Sequence, residues 1–276
     1  MTAGSSFSNE VVNFMGDYDF YLVKTDNEGS VRWERKYGGP AEDSINDMYP
    51  TSDGGFILCG ASKSTEGNVR INFGDFDWWV VKVDSEGNIV WEITLGGSGY
   101  DIPYSIVETK DGEYLVGGVT GSSDEFVSNN YGQNDAWLVK LDSSGGVIWE
   151  KNYGGSLGDS FSKILQLENG DFFIQGGTSS IDNDLENRTP VDGGAWILKL
   201  DESGNILSNK ILERDLIGFT QDIVLGLNDD IIFIGSYSMS SGNTDGVVMS
   251  ITENGSVNWR KTYGGEFLDY LLSIDI

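Results

Sequence analysis

Asp43, Asp101, Asp159 and Asp269 each stand four residues beyond a Gly-Gly pair, with Gly218 in the fifth equivalent place. Carboxylates at fixed spacing are the raw material of glycoside hydrolysis, where one acid protonates the leaving group and a second attacks or activates water. That chemistry needs one pair at one separation, whereas these acids are copies of each other. A carboxylate that accepts backbone N–H groups and fixes a crossover between repeats is the preferred reading.

Residues that break the repetition are better candidates. Asp47, Ser105, Lys163, Asp222 and Ser273 share one position, and its polar residue differs between neighbouring copies. If those segments line a channel, Asp47, Lys163 and Asp222 could bind a small polar ligand or a cation; a water-filled channel with a loose ion pair is the alternative. Asn13-Phe14, Asn72-Phe73 and Asn130-Tyr131 pair an amide with an aromatic ring in three long polar loops. Such pairs suit a sugar, through hydrogen bonds and stacking on its apolar face, and equally suit pinning a loop with the ring tucked inward. Trp78 faces opposite to Trp79 by strand alternation and is Phe20, Ala136, Ala195 or Gly246 elsewhere, which makes it a candidate exposed binding residue. Asp182, Asp184 and Glu186 have calcium-ligand chemistry but lack the EF-hand pattern of glycine and final glutamate.

Composition removes several classes of function. The 276 residues carry a formal net charge of −27, which repels nucleic acid and anionic membranes. There is no histidine, so Ser-His-Asp and Cys-His catalysis and histidine-ligated zinc are excluded. The single cysteine, Cys59 in "FILCG", rules out an internal disulfide and reads as a buried small hydrophobe. No apolar run reaches the roughly 18 residues of a membrane span. The N-terminus lacks a basic stretch followed by an apolar one, so no signal peptide is expected in this sequence; a mature secreted protein would read the same.

The elements that position these residues follow from an internal repeat. "DFYLVKTDNEGSVRWERKYGG" from Asp19 recurs as "DWWVVKVDSEGNIVWEITLGG" from Asp77 and "DAWLVKLDSSGGVIWEKNYGG" from Asp135, with two degraded copies after them. The landmarks Lys24, Lys82, Lys140, Lys199 and Ser250 are spaced by 58, 58, 59 and 51 residues. Many short strands within such a period predict propeller blades. Gly29, Gly87, Gly145, Gly204 and Gly255 fall between the third and fourth strands, where a hairpin calls for positive φ. Asp53-Gly54, Asp111-Gly112 and Asn169-Gly170 mark the hairpin between the first and second. Trp33, Trp91, Trp149 and Trp259 recur on fourth strands, and Trp79, Trp137 and Trp196 on third strands with Tyr21; packing between blades is the expected role of both sets.

The aspartate–turn–glycine–tryptophan–Gly-Gly pattern ("VDSEGNIVWEITLGG") resembles the tryptophan-docking repeats of quinoprotein-like propellers. The whole unit resembles repeats of secreted or surface-displayed bacterial and archaeal proteins. That resemblance implies the fold and an extracytoplasmic setting, and it implies no quinone cofactor. The sequence therefore predicts an all-β, five-bladed β-propeller with four antiparallel strands per blade, closed by the C-terminal strand joining the N-terminal blade. The expected blades are residues 1–39 plus 266–276, 40–97, 98–155, 156–214 and 215–265. The expected function is a monomeric, non-catalytic extracellular or cell-surface module that binds carbohydrate or protein at its loop-bearing face. It requires no cofactor, and calcium is the one metal considered. A carboxylate-dependent glycoside hydrolase or lyase, and a structural unit of a surface layer or filament, are the alternatives.

Overall fold

A computed structural model describes residues 1–6, 16–185, 194–212, 219–226, 230–238 and 244–274. Among the described residues the chain is all β, apart from a 3-10 turn at Asn183–Leu185. The first sheet holds β1 (Thr2–Ser6), β2 (Asp19–Thr25) and β3 (Val31–Tyr37). The second holds β4 (Asp43–Pro50), β5 (Phe56–Ser62), β6 (Asp77–Val83) and β7 (Ile89–Leu95). The third holds β8 (Asp101–Glu108), β9 (Tyr114–Thr120), β10 (Asp135–Leu141) and β11 (Val147–Tyr153). The fourth holds β12 (Asp159–Gln166), β13 (Phe172–Thr178), β14 (Gly194–Leu200) and β15 (Ile206–Leu212). The last holds β16 (Phe219–Leu225), β17 (Ile231–Ser238), β18 (Thr244–Ile251) and β19 (Val257–Tyr263). Each sheet is a meander in sequence order, as short hairpin connections dictate. The chain packs as two compact units, Met1–Asn130 with Trp137–Asn152, and Tyr131–Ala136 with Tyr153–Ile276.

The turn glycines act as their spacing implies. Gly29, Gly87, Gly145, Gly204 and Gly255 have φ between +69° and +88°. At Gly87 and Gly145 a second constraint applies: an added Cβ would lie 2.9 Å from Cη2 of Trp33 and 2.8 Å from Cε3 of Trp91. Trp33 and Trp91 thus lie against the next hairpin, and the Trp91 Nε1 donates to the Ser143 carbonyl at 3.1 Å.

The third strands carry the core. Every residue of β6 and β10 is buried. Trp79, Trp137 and Trp196 are fully buried, and each donates its indole N–H to the adjacent fourth strand: Glu92 at 3.1 Å, Glu150 at 2.8 Å and Asn209 at 2.8 Å. Trp78 is corrected here. It is not an exposed rim residue; it is fully buried, lies 4.4 Å from Trp137 between ring centroids, and donates to the Val119 carbonyl at 3.2 Å. Both faces of a central strand are covered, so alternation does not separate buried from exposed positions. The fourth-strand tryptophans are the less buried set, with Trp259 41% exposed.

The closed five-bladed ring of four-stranded blades is also corrected. Among the described residues the first sheet has three strands, and β1 pairs with β2 alone. Residues 264–274 form no strand, although Asp269 begins a first-strand pattern. The Asp269 N–H donates to the Thr244 carbonyl at 2.7 Å, and the Ser273 hydroxyl and Ile274 N–H both reach Asp222 at 3.2 Å. Those bonds tether the segment, but Phe267, Leu268, Tyr270 and Leu272 remain exposed and supply no burial to fix a ladder.

Candidate functional site

The recurring first-strand acids are committed to the frame. Asp43 accepts the Gly39 N–H at 2.6 Å and the Ser64 hydroxyl at 2.8 Å, and also bonds the Ser62 hydroxyl. Asp101 repeats this with Gly97 at 2.9 Å, Ser122 at 2.7 Å and the Thr120 hydroxyl. Asp159 accepts from Gly155 and Ser180, both at 2.7 Å, and Asp269 accepts from Gly265 at 2.9 Å. Three hydrogen-bond donors stabilise the Asp43 carboxylate, yet burial still holds its pKa above the usual range.

A second series, at the start of the third strands, is visible in the sequence as Asp19, Asp77, Asp135 and Asp245 but carries no signal of its role. Each is buried. Asp77 accepts the N–H of Phe73 at 2.5 Å, and Asp135 that of Tyr131 at 2.5 Å, so these acids anchor the loops four residues upstream. Burial raises Asp77 to about 7, against the opposing Phe73 N–H, and the nearby Asp101 charge adds to the rise. Asp135 is raised to about 6 by burial, with Asp159 and Asp184 contributing. A Cβ on Gly96 would meet Asp77 Oδ1 at 2.4 Å and Asp101 Oδ2 at 2.7 Å, so both acids close on one glycine α-hydrogen. Only glycine fits between them. In the fourth repeat Gly194 and Gly218 replace both acids together, as a mutually dependent pair would require.

The amide–aromatic loops are placed in part. Asn72 donates to the carbonyls of Ser62 at 3.0 Å and Asp75 at 3.2 Å, and Phe73 packs edge-on against Phe126 at 5.5 Å. Asn130 donates to the Ser122 carbonyl at 3.1 Å, while the Tyr131 ring is exposed. The amides therefore pin their loops, and of the two rings Tyr131 is the one that faces solvent. Asn13 and Phe14 lie outside the described residues, as does Glu186. Asp182 accepts the Ser156 N–H at 2.7 Å and is held below its usual pKa by that bond. Asp184 accepts the Gly154 N–H at 3.0 Å and is raised by burial. No cluster of three metal-ligating side chains occurs among the described residues.

Of the first-strand midpoint residues, Ser273 donates its hydroxyl to Asp222 at 3.2 Å. Asp47 belongs to the first compact unit, and Lys163 and Asp222 to the second. Asp47 accepts the N–H of Met48 at 3.0 Å and of Ile106 at 3.1 Å; Asp222 likewise accepts from Ile223 and Ile274. Both acids therefore cap the amide of the equivalent residue one repeat on. Asp47 also borders an open hollow of about 310 Å³ between β1 and β4, lined by Met1, Ala3, Ile45 and Met48.

No protein-family model matches the chain, and no curated protein matches it. Solved structures do resemble it. A Bacteroides caccae protein of unknown function superposes with a TM-score of 0.53 at 13% identity, covering 92% of this chain and 82% of that one. A Synechocystis apocarotenoid oxygenase variant gives 0.52 at 12% identity, with 98% of this chain covering 59% of that one. At such identity the likeness is one of fold alone: an all-β, β-propeller-like chain of repeated blades.

Proposed function

We propose that this chain is a non-catalytic binding module of an extracellular or cell-surface protein, taking a carbohydrate as ligand at the loop-bearing ends of its sheets. The observation that carries this reading is the fate of the recurring acids. Asp43 and Asp101 accept from backbone amides and hydroxyls with both carboxylate oxygens and Asp159 with one, all three are buried, and Asp77 and Asp135 are sealed beneath loops. A glycosidase needs two carboxyls facing one substrate cleft. What faces solvent at those sheet ends is aromatic and polar instead, as at Tyr100 and Tyr131. The net charge of −27 favours a neutral partner over nucleic acid or an anionic membrane.

The test is calorimetric titration with neutral hexasaccharides of glucose, mannose and galactose, followed by product analysis of the same samples. Saturable binding with intact oligosaccharide is expected. Cleavage that Asp47→Asn or Asp222→Asn abolishes would establish the hydrolase reading in its place.

A further inference from the structure

Where a residue recurs, the frame explains it; a cluster that occurs once has no such explanation. One such cluster lies in the first compact unit, beside the ends of β5, β6 and β8. Lys63 follows β5, Phe76 precedes β6 and Tyr100 precedes β8. The Lys63 ammonium stands 4.1 Å from the centre of the Phe76 ring and 2.8 Å from Asp75 Oδ1. Phe76 and Tyr100 meet edge to face at 87°, with centroids 5.8 Å apart. Tyr104 sits where the β8 register shifts between Pro103 and Ser105, and its phenol is raised by burial and by the neighbouring Tyr100.

The backbone beneath is rigidly tied: Lys63 N–H to the Glu42 carbonyl at 2.9 Å, Asp101 N–H to Phe76 at 2.7 Å, and Gly121 N–H to Tyr100 at 2.8 Å. Yet Tyr100 is 46% and Tyr104 38% exposed. One repeat further along the sequence, Lys63, Phe76, Tyr100 and Tyr104 become Gly121, Asn134, Gly158 and Ser162. The fold needs none of these side chains at these positions.

We infer that Lys63, Asp75, Phe76, Tyr100 and Tyr104 form a binding surface for a neutral oligosaccharide, an inference that rests on the binding reading above. Two exposed tyrosines offer ring area to the C–H face of a pyranose and phenolic groups to its hydroxyls. Asp75 supplies an acceptor and Lys63 a donor beside them. Because Asp75 already neutralises Lys63, no unpaired cation waits there for a uronate or phosphate, and the acidic chain repels both. The small ring area suits a sugar better than a protein partner, whose specific interfaces bury far more surface.

The experiment titrates the full chain and its variants with the neutral glucose, mannose and galactose hexasaccharides and with hexagalacturonate. At least one neutral series binds the unaltered chain. Tyr100→Ala and Tyr104→Ala each weaken it about tenfold, the loss of roughly one aromatic contact. Tyr100→Phe, which keeps the ring, weakens it by no more than about threefold, the exposed β7 control Val90→Ala leaves it unchanged, and all four variants keep the melting temperature. Neutral binding left unchanged by both alanine variants would overturn this surface and leave the binding module standing. A melting temperature lowered by several degrees in either alanine variant would show the rings to be structural and overturn it as well. Failure of every neutral hexasaccharide, or preference for hexagalacturonate, would refute the ligand class for surface and module alike.

Discussion

Asp77→Asn should stabilise the protein at neutral pH and leave its stability at pH 4 nearly unchanged. The side chain is fully buried, and burial raises its pKa from 3.8 to about 7. A carboxyl raised in the folded state binds its proton more tightly there than in the unfolded chain. Its contribution is therefore complete below pH 3.8, falls as pH climbs from about 4 to 7, and is flat above. Three pH units at 1.36 kcal/mol each set an upper bound of about 4 kcal/mol for the cost of ionising it. Asparagine keeps an acceptor for the Phe73 N–H. Its amide can also donate toward Asp101, whose Oδ2 shares with Asp77 Oδ1 the approach to Gly96. Urea unfolding of both proteins from pH 4 to 8 would read the difference. Asp77→Asn should gain on the parent steadily from pH 4 to about 7 and hold a lead of about 2–4 kcal/mol at pH 8. A pH-independent difference, or a less stable variant at pH 8, would refute the claim that this acid is sealed into the frame.

Two further substitutions probe the packing. Trp78→Ala should cost about 3–5 kcal/mol in urea unfolding and Trp91→Ala distinctly less, because Trp78 is fully buried and Trp91 only partly; equal losses would mean the two strand positions carry equal burial. Gly145→Ala should lose at least about 1 kcal/mol by the same assay, since φ there is +88° and the new methyl would meet the Trp91 ring at 2.8 Å.

Much of the fold was legible because it is written five times. The hairpin glycines follow from the local need for positive φ, and every tryptophan falls on a third or fourth strand as its repeat position implies. The parts that failed depend on non-local pairing. Asp269 to Ile274 carries the first-strand pattern, but a pattern does not supply a partner, and the segment is held instead by Asp222 and Thr244. Alternation placed Trp78 outward, a rule that holds for a sheet with one wet face and not for β6. At the candidate site, the repeated amides Asn72 and Asn130 proved to be loop pins. The cluster at Tyr100 is not legible in the sequence because its members are 41 residues apart at the extremes, from Lys63 to Tyr104, and only the folded sheets bring them together. Its one sequence signal was negative, the glycines and asparagine that occupy the corresponding places in the next repeat.

The most direct test of the account is whether bound sugar survives. Neutral hexasaccharide held overnight with an equimolar amount of the chain should show a saturable interaction by calorimetry and no new reducing ends by carbon NMR. New reducing ends that grow with protein concentration would contradict it, because the recurring carboxylates would then be presenting themselves to substrate and not to the frame.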